Sequence, residues 1–420
     1  MTRLTFALAL LAGGLGLAQP NTYFAPIIAR TPGTSPVGAV GMGTTIGLPD
    51  PGVNADQSLL FGTGGGTAVP FVLATQAAAS VTGLPTRVDA IAAAPGVLVG
   101  GSSKTLLAVL SNGQVTFGTV ESGAYVSKGP LTPISAGTVI ALSAVPGGSA
   151  ALLVSDGFQI SRFELDVSSG TVVVRPGATM SAAPSGANDQ ANALVFDGMS
   201  NQGFVGGRAL GDIYQFDARL DAGLPTVFDV ALVSQGRLLG PVTGLALYAV
   251  PEVTYLLAAN GQGLTIYNLD AGTPRSSGFR VIPYDAVGPI TAPAGVALTN
   301  LPVGAAFPDG VIAVGDRTQT DLALLRWDLL ATQVDGGLVI DSTFDPRDAG
   351  SSVPDGGRPD GGPDGGSGGG GGGPGGGGGP LGPGIPVDHG SSSCTSAAGA
   401  PLLLLLLAGL GLLPRRRQRR

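Results

Sequence analysis

Short apolar runs separated by glycine, proline, asparagine and serine fill most of this 420-residue chain. No long stretch repeats its apolar positions at helical spacing, so the pattern predicts strands and turns. Ala151-Leu-Leu-Val154, Phe204-Val205, Leu256-Leu-Ala258 and Val311-Ile-Ala-Val314 are such runs, each followed by a turn and then an alternating strand. Those second strands align as Ile160-Ser-Arg-Phe-Glu164, Ile213-Tyr-Gln-Phe-Asp217, Ile266-Tyr-Asn-Leu-Asp270 and Leu324-Leu-Arg-Trp-Asp328. They start 53, 53 and 58 residues apart, and Val69-Pro-Phe71 and Val115-Thr-Phe117 are weaker, earlier copies. A period near fifty with several strands per unit predicts an all-β, six-bladed β-propeller over residues 19–345. A pair of two-sheet sandwiches is the competing architecture, but it does not require so regular a spacing.

Composition separates this body from the ends. The chain has 72 glycines, 33 prolines and only 12% charged residues, which argues against long helices. Residues 346–393 have few apolar side chains to bury and repeat Pro-Asp-Gly-Gly from Pro354, Pro359 and Pro363 before a polyglycine run. They are expected to be a disordered, solvated linker. Cys394 and His389 are the only cysteine and histidine, and both lie beyond residue 345. The body therefore has no imidazole or thiol, which excludes Ser-His-Asp and Cys-His catalysis and histidine-based zinc hydrolysis.

Both ends read as addresses. Residues 1–18 have Arg3, an apolar run from Phe6 to Leu17 and a small-x-small site before Gln19, the pattern of a secretory signal peptide; an uncleaved anchor is the alternative. At the far end, 394–420 place Cys394 before an uncharged span, 397–413, and an arginine cluster at 415–417 and 419–420. That order predicts a transmembrane sorting helix with its C-terminus cytoplasmic. It resembles the myxobacterial MYXO-CTERM sorting signal, which implies a membrane processing protease as partner and display at the cell surface after secretion across the inner membrane. A plain tail anchor is the other reading. The body carries 13 basic against 23 acidic residues, so nucleic-acid partners are not expected.

Phe204-Val-Gly-Gly-Arg-Ala-Leu-Gly-Asp-Ile-Tyr-Gln-Phe216, Gly240-Pro-Val-Thr-Gly-Leu-Ala-Leu-Tyr248 with Thr254–Gly263, and Phe307-Pro-Asp-Gly-Val-Ile-Ala-Val-Gly-Asp316 follow one blade pattern. Through them the chain, over roughly 40–335, resembles the β-propeller phytases. It implies calcium as cofactor and hydrolysis of a phosphomonoester of phytate type by metal-activated water. The acids the family uses are mostly replaced, at Gly43–Ile46, Ala191–Ala193, Gly206–Arg208, Pro241–Gly244 and Ala292–Gly295. Asp89, Asn112 and Asp316 survive as candidates for a residual metal or phosphate site, with Arg87 as an added cation; the competing role is strand-end acids capping turns. Two functions follow: a calcium-dependent phosphatase acting on a small phosphate ester, or a non-catalytic propeller that binds a surface ligand or serves the envelope.

Overall fold

The computed structural model describes residues 22–32, 44–129, 132–133, 139–184, 189–208, 211–221, 223–229, 240–251, 253–261, 263–270, 279–290, 292–319, 321–334 and 337–348. The signal peptide, Cys394, the span 397–413 and all but three residues of the linker lie outside them. Among the described residues no helix is long and apolar enough to cross a membrane.

Strand β1 (Thr22–Arg30) comes first and pairs last. Strands β2 (Thr44–Gly47), β3 (Leu59–Gly64) and β4 (Thr67–Val72) make one antiparallel sheet. The next holds β5 (Ala90–Val99), β6 (Ser102–Ser111), β7 (Gln114–Glu121) and β8 (Ala124–Ser127), with the short β9 (Thr132–Pro133) against β7. Two four-stranded sheets follow: β10 (Val139–Ala144), β11 (Ala150–Ser155), β12 (Gln159–Asp166), β13 (Val173–Ser181); then β14 (Ala191–Asp197), β15 (Gln202–Gly207), β16 (Ile213–Asp217), β17 (Thr226–Asp229). After them come β18 (Val242–Val250), β19 (Val253–Asn260), β20 (Gly263–Asn268), β21 (Phe279–Tyr284), β22 (Pro293–Thr299), β23 (Val311–Asp316), β24 (Asp321–Arg326) and helix α1 (Trp327–Ala331).

These sheets are blades of a β-propeller. Their first strands, β2, β5, β10, β14, β18 and β22, pack side by side in chain order, and β22 returns to β2. Apolar faces are buried between successive sheets: Leu106 and Phe117 pack with Leu142 and Leu152, and Leu60 and Phe71 pack with Val311 and Leu324. The last contact joins the first sheet to the final one and closes the ring without an open sheet edge at the seam. Strand β1 completes the closure. Its first half runs parallel to β21, Thr22 opposite Arg280, and its second half antiparallel to β24, Arg30 opposite Ala323.

The aligned apolar motifs all fall on third strands, β4, β7, β12, β16, β20 and β24. Their register differs, however. Ile266 and Leu324 lie opposite Leu257 and Ala313, three residues before the ends of β19 and β23, whereas Ile160 lies opposite Ser155, the last residue of β11. The hairpins between second and third strands have different lengths, so a sequence alignment on the aliphatic residue slides along the strand.

Residues 337–348 cross the lower end of the ring. Val339 and Asp341 backbone amides donate to the hydroxyls of Tyr255 and Tyr248, and Asn300 Nδ2 donates to the carbonyl oxygens of Asp341 and Phe344. Arg347 donates to the Pro49, Asp50 and Val53 carbonyls, and its own carbonyl accepts from Ser103. Arg347 is 8% exposed. Pro346, Arg347 and Asp348, placed in the linker on composition, thus belong to the folded body.

Candidate functional site

The first strands surround a channel of about 700 Å³. Its upper mouth lies where these strands begin and where the second strands hand over to the third; Pro346 and Asn300 line the lower part. Val195, Leu247 and Leu298 line the middle and are only partly buried by their neighbours.

The positions that the phytase resemblance assigns to acids do fall at the upper mouth, but they do different work. Asn192 and Thr243 each occupy an irregularity in strand register, between Ala191 and Ala193 and between Val242 and Gly244. An extra residue in one strand re-aims its side chain, and here both point to the next blade. Asn192 Nδ2 donates to the Val242 carbonyl at 2.6 Å, and Thr243 Oγ1 donates to the Pro293 carbonyl at 2.9 Å and the Ala259 carbonyl at 3.2 Å. Thr45 Oγ1 makes the same kind of link to the Ile91 carbonyl at 2.8 Å. Gly244 lets the strands approach this closely, since a Cβ there would stand 2.7 Å from Gly295 Cα and Val296 N. Thr243→Val should remove the stitch and strand the Pro293 carbonyl, lowering stability by about 1–2 kcal/mol. Urea unfolding with an unchanged slope measures this; an unaltered midpoint would show that the link contributes nothing.

The surviving candidates split into two groups. Asp89 precedes β5, accepting from Arg87 Nε at 2.8 Å and from the Asn112 backbone amide at 2.9 Å. Those two site residues are therefore neighbours, but through the main chain of Asn112. Asp316 ends β23 on another blade, 2% exposed, and its Oδ1 accepts from the Thr318 and Gln319 amides. Its Oδ2 accepts from Arg30 Nη1 at 3.1 Å, which also donates to Asp321 at 2.8 Å, while Arg30 Nε donates to Asp285 at 2.6 Å. Among the described residues no group of three or more His, Cys, Asp or Glu is placed to hold a metal ion.

The sequence reading also missed an acid pair. Asp189 and Asp212 lie beside Gly207, where a Cβ would collide with Asp189 Oδ2. Tyr214 Oη donates to Asp212 at 3.1 Å. Burial, then repulsion from Asp189, pushes the Asp212 carboxyl above its ordinary range. Burial also raises the Tyr214 phenol, with Asp212 adding to the shift. Nothing in the spacing of residues 189 and 212 announces the pair, because it takes the pairing of β14 with β15 and the turn from β15 into β16 to bring them together.

Around the mouth, the residue following each second strand forms a series: Gly65, Asn112, Asp156, Arg208, Gly261 and Arg317. Backbone amides of Arg208 and Arg317 both donate to the residue leading into the first strand, Gln190 at 2.8 Å and Ala292 at 3.1 Å. Both arginine side chains are exposed and line the channel.

No protein-family model matches this chain, and no curated protein sequence is similar to it. Among solved structures it is similar to the β-propeller domain of Cps50 (Swd1) from Myceliophteria thermophila, at 13% identity and TM-score 0.37, covering 68% of this chain and 96% of that one. Hydrazine synthase of Kuenenia stuttgartiensis matches at 12% identity and TM-score 0.41, over 70% and 96% of the two chains. The extracellular domain of a hybrid two-component system from B. thetaiotaomicron matches at 15% identity and TM-score 0.35, over 66% of this chain and 32% of that one. The propeller assignment rests on the chain's own sheets and their ring of first strands.

Proposed function

We propose that this chain is a six-bladed β-propeller that binds a ligand in its central channel, entered from the upper mouth. The count of six rests on the ring of first strands β2, β5, β10, β14, β18 and β22. Ligand sites are concave, largely apolar and supplied with a few convergent polar groups; the channel has that form, with Val195, Leu247 and Leu298 in its wall and polar groups at its mouth. The observation that carries binding over phytase-like hydrolysis is the use of Asn192 and Thr243 as stitches between blades. Calcium takes six to eight oxygen ligands, and Asp89 and Asp316 already spend theirs on Arg87, Arg30 and backbone amides. The signal peptide at 1–18 and the Cys394 sorting signal complete the proposal, with the propeller displayed at the cell surface beyond a solvated linker.

The full chain, incubated with phytate and millimolar calcium, is expected to release no phosphate above background and to keep its melting temperature. A calcium site filled at a hundredfold excess over Kd would add about 2.7 kcal/mol, several degrees in a domain of this size. A calcium-dependent rise lost in Asp89→Ala, together with phosphate release, would replace binding by hydrolysis.

A further inference from the structure

The body is acidic, and most of its cations among the described residues are neutralised. Arg30, Arg87, Lys104, Lys128, Arg162, Arg175, Arg219, Arg326 and Arg347 each hold a carboxylate. Arg208 and Arg317 have no carboxylate partner among the described residues, although both are exposed at the channel mouth. They occupy equivalent places on two blades, immediately after β15 and β23. On the blade between them the equivalent residue is Gly261, and among the described residues, its chain neighbours aside, no atom lies within 4 Å of where its Cβ would stand. Arg208 and Arg317 thus line a partly apolar channel from the two blades on either side of one whose equivalent residue has no side chain. Asp156, the acid in the same series, has its Oδ1 engaged by the Phe158 and Gln159 amides of its own turn.

Resting on the channel-binding proposal, we infer that the ligand is an organic anion with an elongated apolar body, its charged head held by Arg208 and Arg317 across Gly261 and its body against Leu247 and Leu298. A planar guanidinium suits a carboxylate or phosphate head through paired N–H donors, and Arg208 and Arg317 are the cations among the described residues that line the channel. Carboxylate and phosphate heads share this chemistry, and both are tested.

The probes are octanoate, octyl phosphate, neutral 1-octanol and inorganic phosphate, titrated into the full chain by calorimetry. At least one of octanoate and octyl phosphate is expected to bind, at least tenfold tighter than octanol and inorganic phosphate. Arg208→Gln and Arg317→Gln should each weaken that binding at least tenfold. Gly261→Asp, which places an acid in open space between them, should abolish it while leaving the melting temperature unchanged. Octanol binding as tightly as both anions, or full affinity in the two arginine variants, would overturn the anion inference, as would no binding of either anion. Leu247→Trp, which fills the channel, separates the two proposals. If octanol binds the wild type as tightly as the anions and is lost in Leu247→Trp, the channel stands and the anion inference falls. If anion binding survives Leu247→Trp unchanged, the ligand lies outside the channel and the parent proposal fails.

Discussion

Arg30→Met should lower the unfolding free energy by about 3–5 kcal/mol, the cost of removing one partner from a buried ion cluster. Arg30 is the only cation in contact with Asp285, Asp316 and Asp321 among the described residues, and the last two side chains are 3% and 9% exposed. A methionine fills much of the volume but leaves three carboxylates facing one another in a poorly solvated site. The loss also falls at the ring's seam, because Arg30 ends β1, the strand that bridges β21 and β24. Denaturant unfolding of the two proteins measures it; a difference below 1 kcal/mol would show that the closing strand is held by its backbone pairing alone.

The deficit should also depend on pH. In the wild type, burial opposes ionisation of Asp285, but the hydrogen bond and charge of Arg30 hold its carboxyl below the ordinary range. Its contribution is therefore present above the unfolded pKa and is lost as pH falls through the folded one. Asp321 runs the other way: burial raises its carboxyl despite Arg30, so the folded state binds its proton more readily and gains stability as pH falls. Without Arg30 the Asp285 and Asp321 carboxyls lose the charge and hydrogen bonds that oppose burial, so both move upward. The folded variant then takes up protons in acid, and its deficit should be smaller at pH 4.5 than at pH 8. An equal deficit at both would mean that the acids reach solvent when Arg30 is lost.

How far the sequence reveals this molecule depends on the distance over which each feature is encoded. The third strands are legible because Ile160, Ile213, Ile266 and Leu324 sit in alternating segments bounded by turn residues, a purely local signal. Their register is not, since it depends on the connections between second and third strands, such as 156–158 and 208–212, whose lengths vary from blade to blade. Asp89, Asn112 and Asp316 stand out in the sequence as candidates for a residual site, but the partners that occupy Asp89 and Asp316 are not legible there. Arg30 meets Asp316 and Asp321 from nearly three hundred residues away. The linker boundary failed for a related reason: Pro346 and Arg347 look like linker by composition, yet the Pro49–Val53 turn supplies carbonyls that only the closed ring brings near. Arg208 and Arg317 carried no motif. Their equivalence appears only once the second strands are superposed as blades.

Trp327→Ala should cost about 3–5 kcal/mol, comparable to the largest single truncations in cores. Trp327 is the chain's one tryptophan, 1% exposed at the start of α1. Its ring stacks on Tyr248 with centroids 4.5 Å apart and planes 15° from parallel, and lies 5.8 Å from Tyr255. Its Nε1 donates to the Val339 carbonyl at 3.2 Å. One side chain thus joins the β18–β21 blade, the helix after β24 and the segment that crosses the lower end of the channel. Alanine would open a void among Tyr248, Tyr255, Leu330 and Leu338, which share this core, and would free the 337–348 segment, since both tyrosine hydroxyls that hold its amides are positioned by the stack. Trp327→Phe separates packing from the hydrogen bond. It keeps an aromatic ring on Tyr248 and loses only the Nε1 link and part of the volume, so about 1–2 kcal/mol is expected. Unfolding followed by circular dichroism measures both variants. If phenylalanine costs as much as alanine, the hydrogen bond to Val339 rather than the aromatic stack holds the lower segment to the ring.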